Sequence, residues 1–332
     1  MTRRTLLASA LAATATAAAK TTMGVATTSY MTGWRPKDTM EFLERCHQLG
    51  AGGIQASLSS LEPAYIKQLR DKAGQYGMYI ELMGGLPRGD SAPFEANLKA
   101  SKEVGALCVR SACLGGRRYE TFKTLADWSA FVADSKAAVE RGVRIAEKHK
   151  VRWALENHKD WTTEEFVELL RQYPSEYLGV CVDTGNNLSL LDEPMELVEA
   201  LAPRAFSTHI KDMGVQPYAD GFLLSEVPLG DGFLDLKQMI GVLRSRQPKI
   251  RLTLEMITRN PLKVPCLTDA YWVPFPGRNG RFLARTLRLV TTRASTKPLP
   301  VVEGKTPQQV LAYEEENVRR CLEHARTKLQ LT

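Results

Sequence analysis

Four ionisable residues recur at one kind of position in this chain, the end of an apolar stretch. Glu156, Asp183, His209 and Glu255 each close or nearly close such a run. Ionisable groups at the end of a buried strand are costly unless they meet a metal, a substrate or each other. Three carboxylates and one imidazole are a typical set of ligands for one divalent metal ion. The oxygens favour Mn, Mg or Co, and the histidine also admits Zn or Fe.

Two further polar residues follow these positions. His158 lies two residues after Glu156, and Lys211 lies two residues after His209. Residues two apart on an extended chain point to the same side, so each pair is expected to share a face. We expect His158 to hydrogen-bond a substrate, because four ligands are already available. Lys211 is expected to hold a substrate oxygen or polarise a carbonyl, with an exposed loop lysine as the alternative.

Strand-like and helix-like stretches alternate along the chain and give eight strand–helix units. The predicted strands contain or begin at Met23, Gly53, Met78, Ala106, Trp153, Leu178, Phe206 and Ile250. This alternation predicts an α/β protein with a parallel sheet and right-handed crossovers. Eight units in roughly 310 residues predict a (β/α)8 TIM barrel, in which all strands end at one mouth. A doubly wound open sheet is the alternative, but no GxGxxG motif follows the first strand.

Two connections are long for a barrel, Asp212–Leu234 and Thr258–Arg285. Long loops in compact domains are usually functional, and both follow strands that carry candidate ligands. We expect them to lie over the mouth and Arg278 to bind substrate. Trp272 is expected to offer an aromatic face to a sugar, although packing of the loop onto the barrel is an equal alternative.

The amino terminus reads as a segment separate from the barrel. Residues 1–19 contain Arg3–Arg4, an Ala/Leu stretch and small residues before Lys20. This pattern is typical of a twin-arginine export signal, and a frayed Ala-rich helix is the alternative. We therefore expect one barrel domain over residues 21–330 that the export machinery delivers to the periplasm.

Composition bounds the remaining possibilities. The chain has 332 residues, 44% of them hydrophobic, and a net charge of +7. Its basic residues are scattered, which argues against nucleic acid binding, and a homo-oligomer is left open. None of the six cysteines forms a CxxC motif. Cys108 and Cys181 lie in apolar strand patterns and are expected to be buried free thiols.

Five segments together resemble the xylose isomerase-like barrel superfamily, in particular its group of sugar phosphate isomerases and epimerases. They are ALENH, CVDTGN, THIKD, LTLE and PLGDGFLD. The resemblance implies one divalent metal held by Glu156, Asp183, His209 and Glu255. It also implies that the two glutamates exchange protons with the substrate. The chain departs from the family at Asn186, where a histidine is common, and we expect Asn186 to contact substrate.

The expected function is that of a metal-dependent isomerase or epimerase. It would remove a proton next to the carbonyl of a small, non-phosphorylated sugar or keto-sugar. Two alternatives stay open: a lyase or hydratase acting on 3-keto-glycosides, and a non-catalytic exported barrel that binds sugar. The superfamily's abasic-site endonucleases need several zinc ions and more strand-end histidines than this chain has.

Overall fold

Eleven strands form two sheets in the part of the chain that the computed structural model describes, residues 19–332. The predicted export signal lies outside the described residues, apart from Ala19. The strands are β1 (Gly24–Ala26), β2 (Gly53–Ser57), β3 (Tyr79–Met83), β4 (Val109–Ser111), β5 (Trp153–Glu156), β6 (Leu178–Asp183), β7 (Ala205–His209), β8 (Asp212–Tyr218), β9 (Gly221–Val227), β10 (Thr253–Leu254) and β11 (Leu262–Val264).

Eight parallel strands build the barrel in the order β10-β1-β2-β3-β4-β5-β6-β7. The two end strands meet through a bridge between Ile210 and Leu254. Ile210 N–H donates to the carbonyl of Thr253 at 2.8 Å, which joins β10 to the end of β7. The predicted TIM barrel is confirmed, and Glu156, Asp183, His209 and Glu255 all lie at the carboxyl ends of its strands.

Helices follow the barrel strands and cover their outer faces, which is why the strands read as apolar runs. They are α1 (Thr39–Gln48), α2 (Pro63–Tyr76), α3 (Ala92–Val104), α4 (Arg118–Thr121), α5 (Leu125–His149), α6 (Thr163–Gln172), α7 (Pro194–Leu201), α8 (Leu236–Arg246), α9 (Asp269–Trp272), α10 (Gly280–Thr292) and α11 (Pro307–Thr327). Thr162 and Glu165 form the expected capping box at the start of α6. No helix within residues 19–332 has the length and apolar character needed to cross a membrane.

The barrel core agrees with the strand patterns. All six residues of β6 are buried, as expected for a strand with side chains packed on both faces. Cys108 and Cys181 are buried free thiols, as predicted. They form a small apolar cluster with Ala154 between neighbouring strands.

The prediction that both long connections are loops was wrong, because each contains regular secondary structure. Residues 212–227 form an antiparallel hairpin of β8 and β9, and β11 adds a third strand beside β9. The connection after β10 also contains α9 and the beginning of α10. Gly214, Pro217 and the glycine at the hairpin turn made the first segment look like a loop. Gly221 there adopts a φ of +152°, a conformation that favours glycine.

Candidate metal centre

The four candidate ligands converge at the barrel mouth. Glu156 ends β5, Asp183 ends β6, His209 ends β7 and Glu255 follows β10. One ligand atom from each lies within 4.8 Å of the other three, and all four residues are buried. His209 Nδ1 is 3.4 Å from Glu156 Oε1 and 3.5 Å from Glu255 Oε2. The sequence signal at the strand ends therefore identified residues that meet in space.

Local turns aim Asp183 into this group. Its Oδ1 accepts hydrogen bonds from the backbone N–H groups of Gly185 (2.9 Å) and Asn186 (2.8 Å). The Asn157 side chain bridges the ends of β5 and β6. It accepts from Asp183 N–H at 2.8 Å and donates to the Asp183 carbonyl at 2.9 Å. These bonds occupy one carboxylate oxygen and leave Oδ2 facing the other ligands.

A buried chain of polar groups orients His209 from below. His209 Nε2 lies 2.6 Å from Gln55 Oε1, and the Gln55 amide nitrogen donates to Glu81 Oε2 at 2.9 Å. Because that amide nitrogen is already engaged, Gln55 presents its oxygen to the histidine, which must carry the proton on Nε2. The Nδ1 atom then points at the carboxylates. Histidine ligands are commonly fixed by such an outer hydrogen bond.

The donor set fits a divalent cation. His209 Nδ1 is buried and has no hydrogen-bond partner among the described residues, and it faces the carboxylates of Glu156 at 3.4 Å and Glu255 at 3.5 Å. Buried polar atoms are normally paired, so an imidazole nitrogen without a hydrogen-bond partner that faces three carboxylates fits the coordination of a cation. Burial lowers the pKa of His209, but Cys181, Glu255 and Asp183 raise it overall to about 10. Coordination through Nδ1 therefore requires release of a proton.

Positively charged residues surround the carboxylates. Lys211 Nζ is 2.5 Å from Glu255 Oε2 and 3.0 Å from Asp183 Oδ2, and the Arg110 guanidinium pairs with Glu156. Burial raises the pKa of Glu255, but His209, Lys211 and Arg110 lower it well below its usual range. Glu255 is therefore ionised at neutral pH. Its Oε1 also accepts a hydrogen bond of 2.6 Å from the Thr28 hydroxyl.

Asn186 lies at the centre of the mouth. Its amide nitrogen donates to Glu156 Oε1 at 3.0 Å, and its oxygen accepts from Lys211 at 3.1 Å and from Lys159. His158 is half-buried beside the group, and its Nδ1 lacks a hydrogen-bond partner among the described residues. Burial and the nearby Lys159 hold the pKa of His158 well below its usual value. A neutral imidazole at this place can donate one hydrogen bond to a substrate and accept another from it.

Trp272 contacts residues of its own segment after β10, whereas Arg278 also reaches the connection that follows β6. The Trp272 indole N–H donates to the Cys266 carbonyl at 2.9 Å, and its ring meets Tyr271 edge-on. Arg278 pairs with Asp192 and lies 3.9 Å from the centre of the Phe282 ring. Their substrate-binding roles stay predictions, because these contacts do not join them to the four-residue group.

A buried arginine holds the same segment to the barrel. The Arg118 guanidinium lies between two aromatic rings, 3.5 Å from the centre of Trp128 and 4.3 Å from that of Phe275. It also donates to the Pro274 carbonyl at 2.9 Å and to Glu165 at 2.6 Å. Connections after three different strands are thus fastened at one fully buried side chain.

Sequence reasoning missed several groups next to the site. A polar residue inside an otherwise apolar strand is a signal that could have identified three of them, Gln55, Glu81 and Arg110. Lys159 belongs to the ENHKD segment but was not assigned a role. Glu226, which pairs with Arg259 at 2.8 Å, depended on the hairpin that the sequence did not indicate.

These features define a (β/α)8 barrel with a candidate centre for a divalent metal at its mouth. A family model described as the xylose isomerase-like TIM barrel matches residues 43–272. The chain therefore belongs to this family, as the resemblance of its strand-end motifs implied.

Similar proteins include enzymes with different reactions. The 3-oxo-isoapionate decarboxylase of Pectobacterium atrosepticum is 25% identical over 247 residues, which cover 70% of this chain and 85% of that protein. D-psicose 3-epimerase, solved in the presence of D-fructose, matches with a TM-score of 0.61 at 14% identity and covers 92% of this chain and 99% of that one. The 3-keto-D-glucoside 4-epimerase of E. coli matches with a TM-score of 0.54 at 13% identity, over 82% of this chain and all of that one. The two structural matches establish the fold.

Proposed function

We propose that this protein is a divalent-metal-dependent sugar isomerase or epimerase. It would remove a proton from the carbon next to the carbonyl of a non-phosphorylated sugar or keto-sugar. The observation that carries the proposal is the buried group of three carboxylates and one imidazole, with ligand atoms within 4.8 Å of one another. Mn, Mg and Co suit this oxygen-rich set, and Zn or Fe also fit the histidine.

Glu156, Asp183, His209 and Glu255 would hold the ion. When bound, a divalent ion acts as a Lewis acid toward substrate oxygens and makes the neighbouring C–H group more acidic. Glu156 and Glu255 come from opposite ends of this set of strands. One would remove the proton and the other return it. Lys211, His158 and Asn186 would hydrogen-bond the oxygens on which negative charge develops.

A second candidate is a lyase, hydratase or decarboxylase that acts on a 3-oxo substrate. The similarity to 3-oxo-isoapionate decarboxylase, which extends over 85% of that protein, favours it. Decarboxylation next to a ketone and proton removal next to a ketone both leave negative charge on the same oxygen. One site can therefore serve either reaction, and the first bond to break distinguishes them.

The experiment follows the substrate proton. The Mn²⁺-loaded protein is incubated in deuterated water with neutral sugars and 3-keto-sugars, and NMR detects deuterium at the carbon next to the carbonyl. Glu156→Gln and Glu255→Gln should each slow incorporation by about 10²–10⁴-fold. Glu316→Gln, an exposed position on α11, is the matched control. Metal content is measured for every variant, since both glutamates are also candidate ligands.

Three results would separate the candidates. Deuterium in recovered or isomerised sugar supports the isomerase or epimerase. Loss of a β-substituent or of CO₂ without prior exchange supports the second candidate. Sugar binding with no chemical change would contradict both and favour a non-catalytic sugar-binding barrel.

The proposal includes export. Arg3–Arg4 and the small residues before Lys20 support delivery to the periplasm by the twin-arginine machinery. That route carries folded proteins, which suits an enzyme loaded with its metal before export.

A further inference from the structure

Lys159 is a buried cation without a matching anion. Its residue is only 4% exposed, and its ammonium group donates to the side-chain oxygen of Asn186. Within residues 19–332 it forms no ion pair with a carboxylate. A buried charge that is paired only with a neutral amide is costly, and lysines are almost never fully buried unless they are paired.

A second ammonium group meets the same oxygen. Lys211 Nζ lies 3.1 Å from Asn186 Oδ1, so two positive charges converge on one neutral acceptor. The other two cations nearby are already engaged. Arg110 pairs with Glu156, and Arg259 pairs with Glu226 at 2.8 Å. Lys159 is therefore the cation at Asn186 whose charge no carboxylate of the described residues neutralises by direct contact.

The acidic residues near the site do not neutralise the positive charge of Lys159. Lys211 contacts Asp183 and Glu255, which belong to the group that would hold the divalent ion, and Glu226 at 3.5 Å, which also pairs with Arg259. That ion would add two positive charges to the same region. Burial, together with Lys211 and Arg259, lowers the pKa of Lys159 to about 7, which is the response of an ammonium group that lacks a counter-ion.

We propose that Lys159 and Lys211 bind a carboxylate group of the substrate, so that the enzyme acts on an oxo-sugar acid. This inference rests on the proposed function and specifies its substrate class. The carboxylate would lie beside Asn186, where the two ammonium groups meet. The sugar oxygens next to the reacting carbon would then face the four-residue group.

The donors favour a carboxylate over a phosphate. Lys159 and Lys211 supply two ammonium groups at one point, which matches a singly charged group with two oxygens. Lysines also bind phosphate, but protein sites for phosphate commonly add backbone N–H groups at a helix amino terminus or an arginine fork. Both nearby arginines are paired with glutamates, and the polar contacts at this point come from side chains.

The test compares two probes that differ at a single carbon. D-gluconate and D-glucitol have the same chain length, and only gluconate carries a carboxylate. Their binding to the Mn²⁺-loaded protein is measured by calorimetry, with inorganic phosphate as a third probe. We expect gluconate to bind at least about tenfold more tightly than glucitol, because hydrogen bonds to charged groups are the strong ones.

Variants of Lys159 locate the effect. Lys159→Met should remove the preference for gluconate and leave the affinity for glucitol unchanged, whereas Lys159→Arg should keep the preference. Lys263→Met, at an exposed position on β11, is the matched control and should behave as the wild type. If Lys159→Met does not fold, the two probes are compared on the metal-free wild type, where a preference for gluconate cannot arise from coordination of its carboxylate to Mn²⁺.

The inference is overturned if gluconate and glucitol bind equally, if phosphate binds more tightly than gluconate, or if Lys159→Met weakens both sugars alike. Its failure can be told apart from failure of the proposed function. Deuterium exchange with a neutral keto-sugar but no preference for gluconate would retain the proposed function and reject the carboxylate site. A preference for gluconate without deuterium exchange on any oxo-sugar acid would retain the carboxylate site and reject the proposed function.

Discussion

Gln55 Oε1 lies 2.6 Å from His209 Nε2 at the base of the candidate centre. The Gln55 amide nitrogen is held in turn by Glu81 at 2.9 Å and by Ser207 at 3.0 Å. This chain fixes both the ring orientation and the tautomer of the histidine. A residue that never touches the ion would thus decide which imidazole nitrogen faces it.

The first prediction is that Gln55→Leu weakens metal binding. Leucine cannot accept a hydrogen bond from the Nε2–H group, so His209 is free to rotate or change tautomer. The affinity for Mn²⁺ should fall by about 10–100-fold, the usual effect of losing an outer-shell partner. Calorimetric titration of metal-free protein measures it. Gln55→Glu keeps an acceptor oxygen and should retain more of the affinity, and equal affinities for both variants and wild type would contradict this role.

The second prediction concerns Asp183 itself. Asp183→Asn keeps the shape of the side chain and its hydrogen bonds with Gly185 and Asn186 but removes the charge. Elemental analysis after purification should show the metal content falling well below one ion per chain. Glu226→Gln is the control, since Glu226 is equally buried but outside the group of four. A full complement of metal in Asp183→Asn would exclude it as a ligand.

The third prediction is a pH dependence of stability that arises at Lys159. Its pKa is lowered from 10.5 to about 7 in the folded protein. Between these values the unfolded chain holds the proton and the folded chain does not. The free energy of unfolding should therefore rise with pH across this window, by up to about 1.4 kcal/mol per pH unit from this group. Urea unfolding of metal-free protein at several pH values should show a flatter curve for Lys159→Met.

The fourth prediction concerns Trp272. If its ring faces the sugar, Trp272→Ala should raise KM by about tenfold and leave kcat nearly unchanged, because ground-state binding is lost. Trp272→Phe, which keeps an aromatic face but not the hydrogen bond to Cys266, should retain most of the wild-type KM. A lower melting temperature with an unchanged KM in the alanine variant would instead assign Trp272 to packing of the loop.

The fifth prediction concerns export. Replacing Arg3 and Arg4 by lysine should leave the precursor in the cytoplasm, because the paired arginines are the feature that the machinery recognises. Fractionation of cells followed by immunoblotting measures the distribution. Lys20→Arg, just outside the segment, is the control. Normal appearance of the double variant in the periplasm would rule out the twin-arginine route.

Much of the barrel could be predicted because its signals are local. The runs at Trp153 and Leu178 are apolar up to their final carboxylates, and the helix between them begins with the Thr162–Glu165 capping box. The hairpin of β8 and β9 could not be predicted in the same way. Its glycines and proline resemble those of a loop, and β11, which pairs with β9, lies far along the chain at Leu262–Val264.

The site residues that could be predicted from the sequence are the ionisable residues at strand ends. Glu156 and Asp183 stand out because a charge terminates an apolar run. Gln55 is a single polar residue inside GIQAS, and nothing in that segment shows that it lies beneath a histidine 154 positions away. Lys159 was visible in the sequence, but its lack of a counter-ion is a property of the folded mouth alone.

Arg118 limits how far the segment after β10 can be replaced to change the specificity of this barrel. Its guanidinium is stacked between Trp128 and Phe275 and is bonded to the Pro274 carbonyl. The Pro-rich segment after β10 is consequently not an interchangeable module. A graft that replaces Pro274 and Phe275 would take a carbonyl acceptor and one aromatic neighbour away from the buried Arg118 guanidinium. Libraries should therefore vary these positions together.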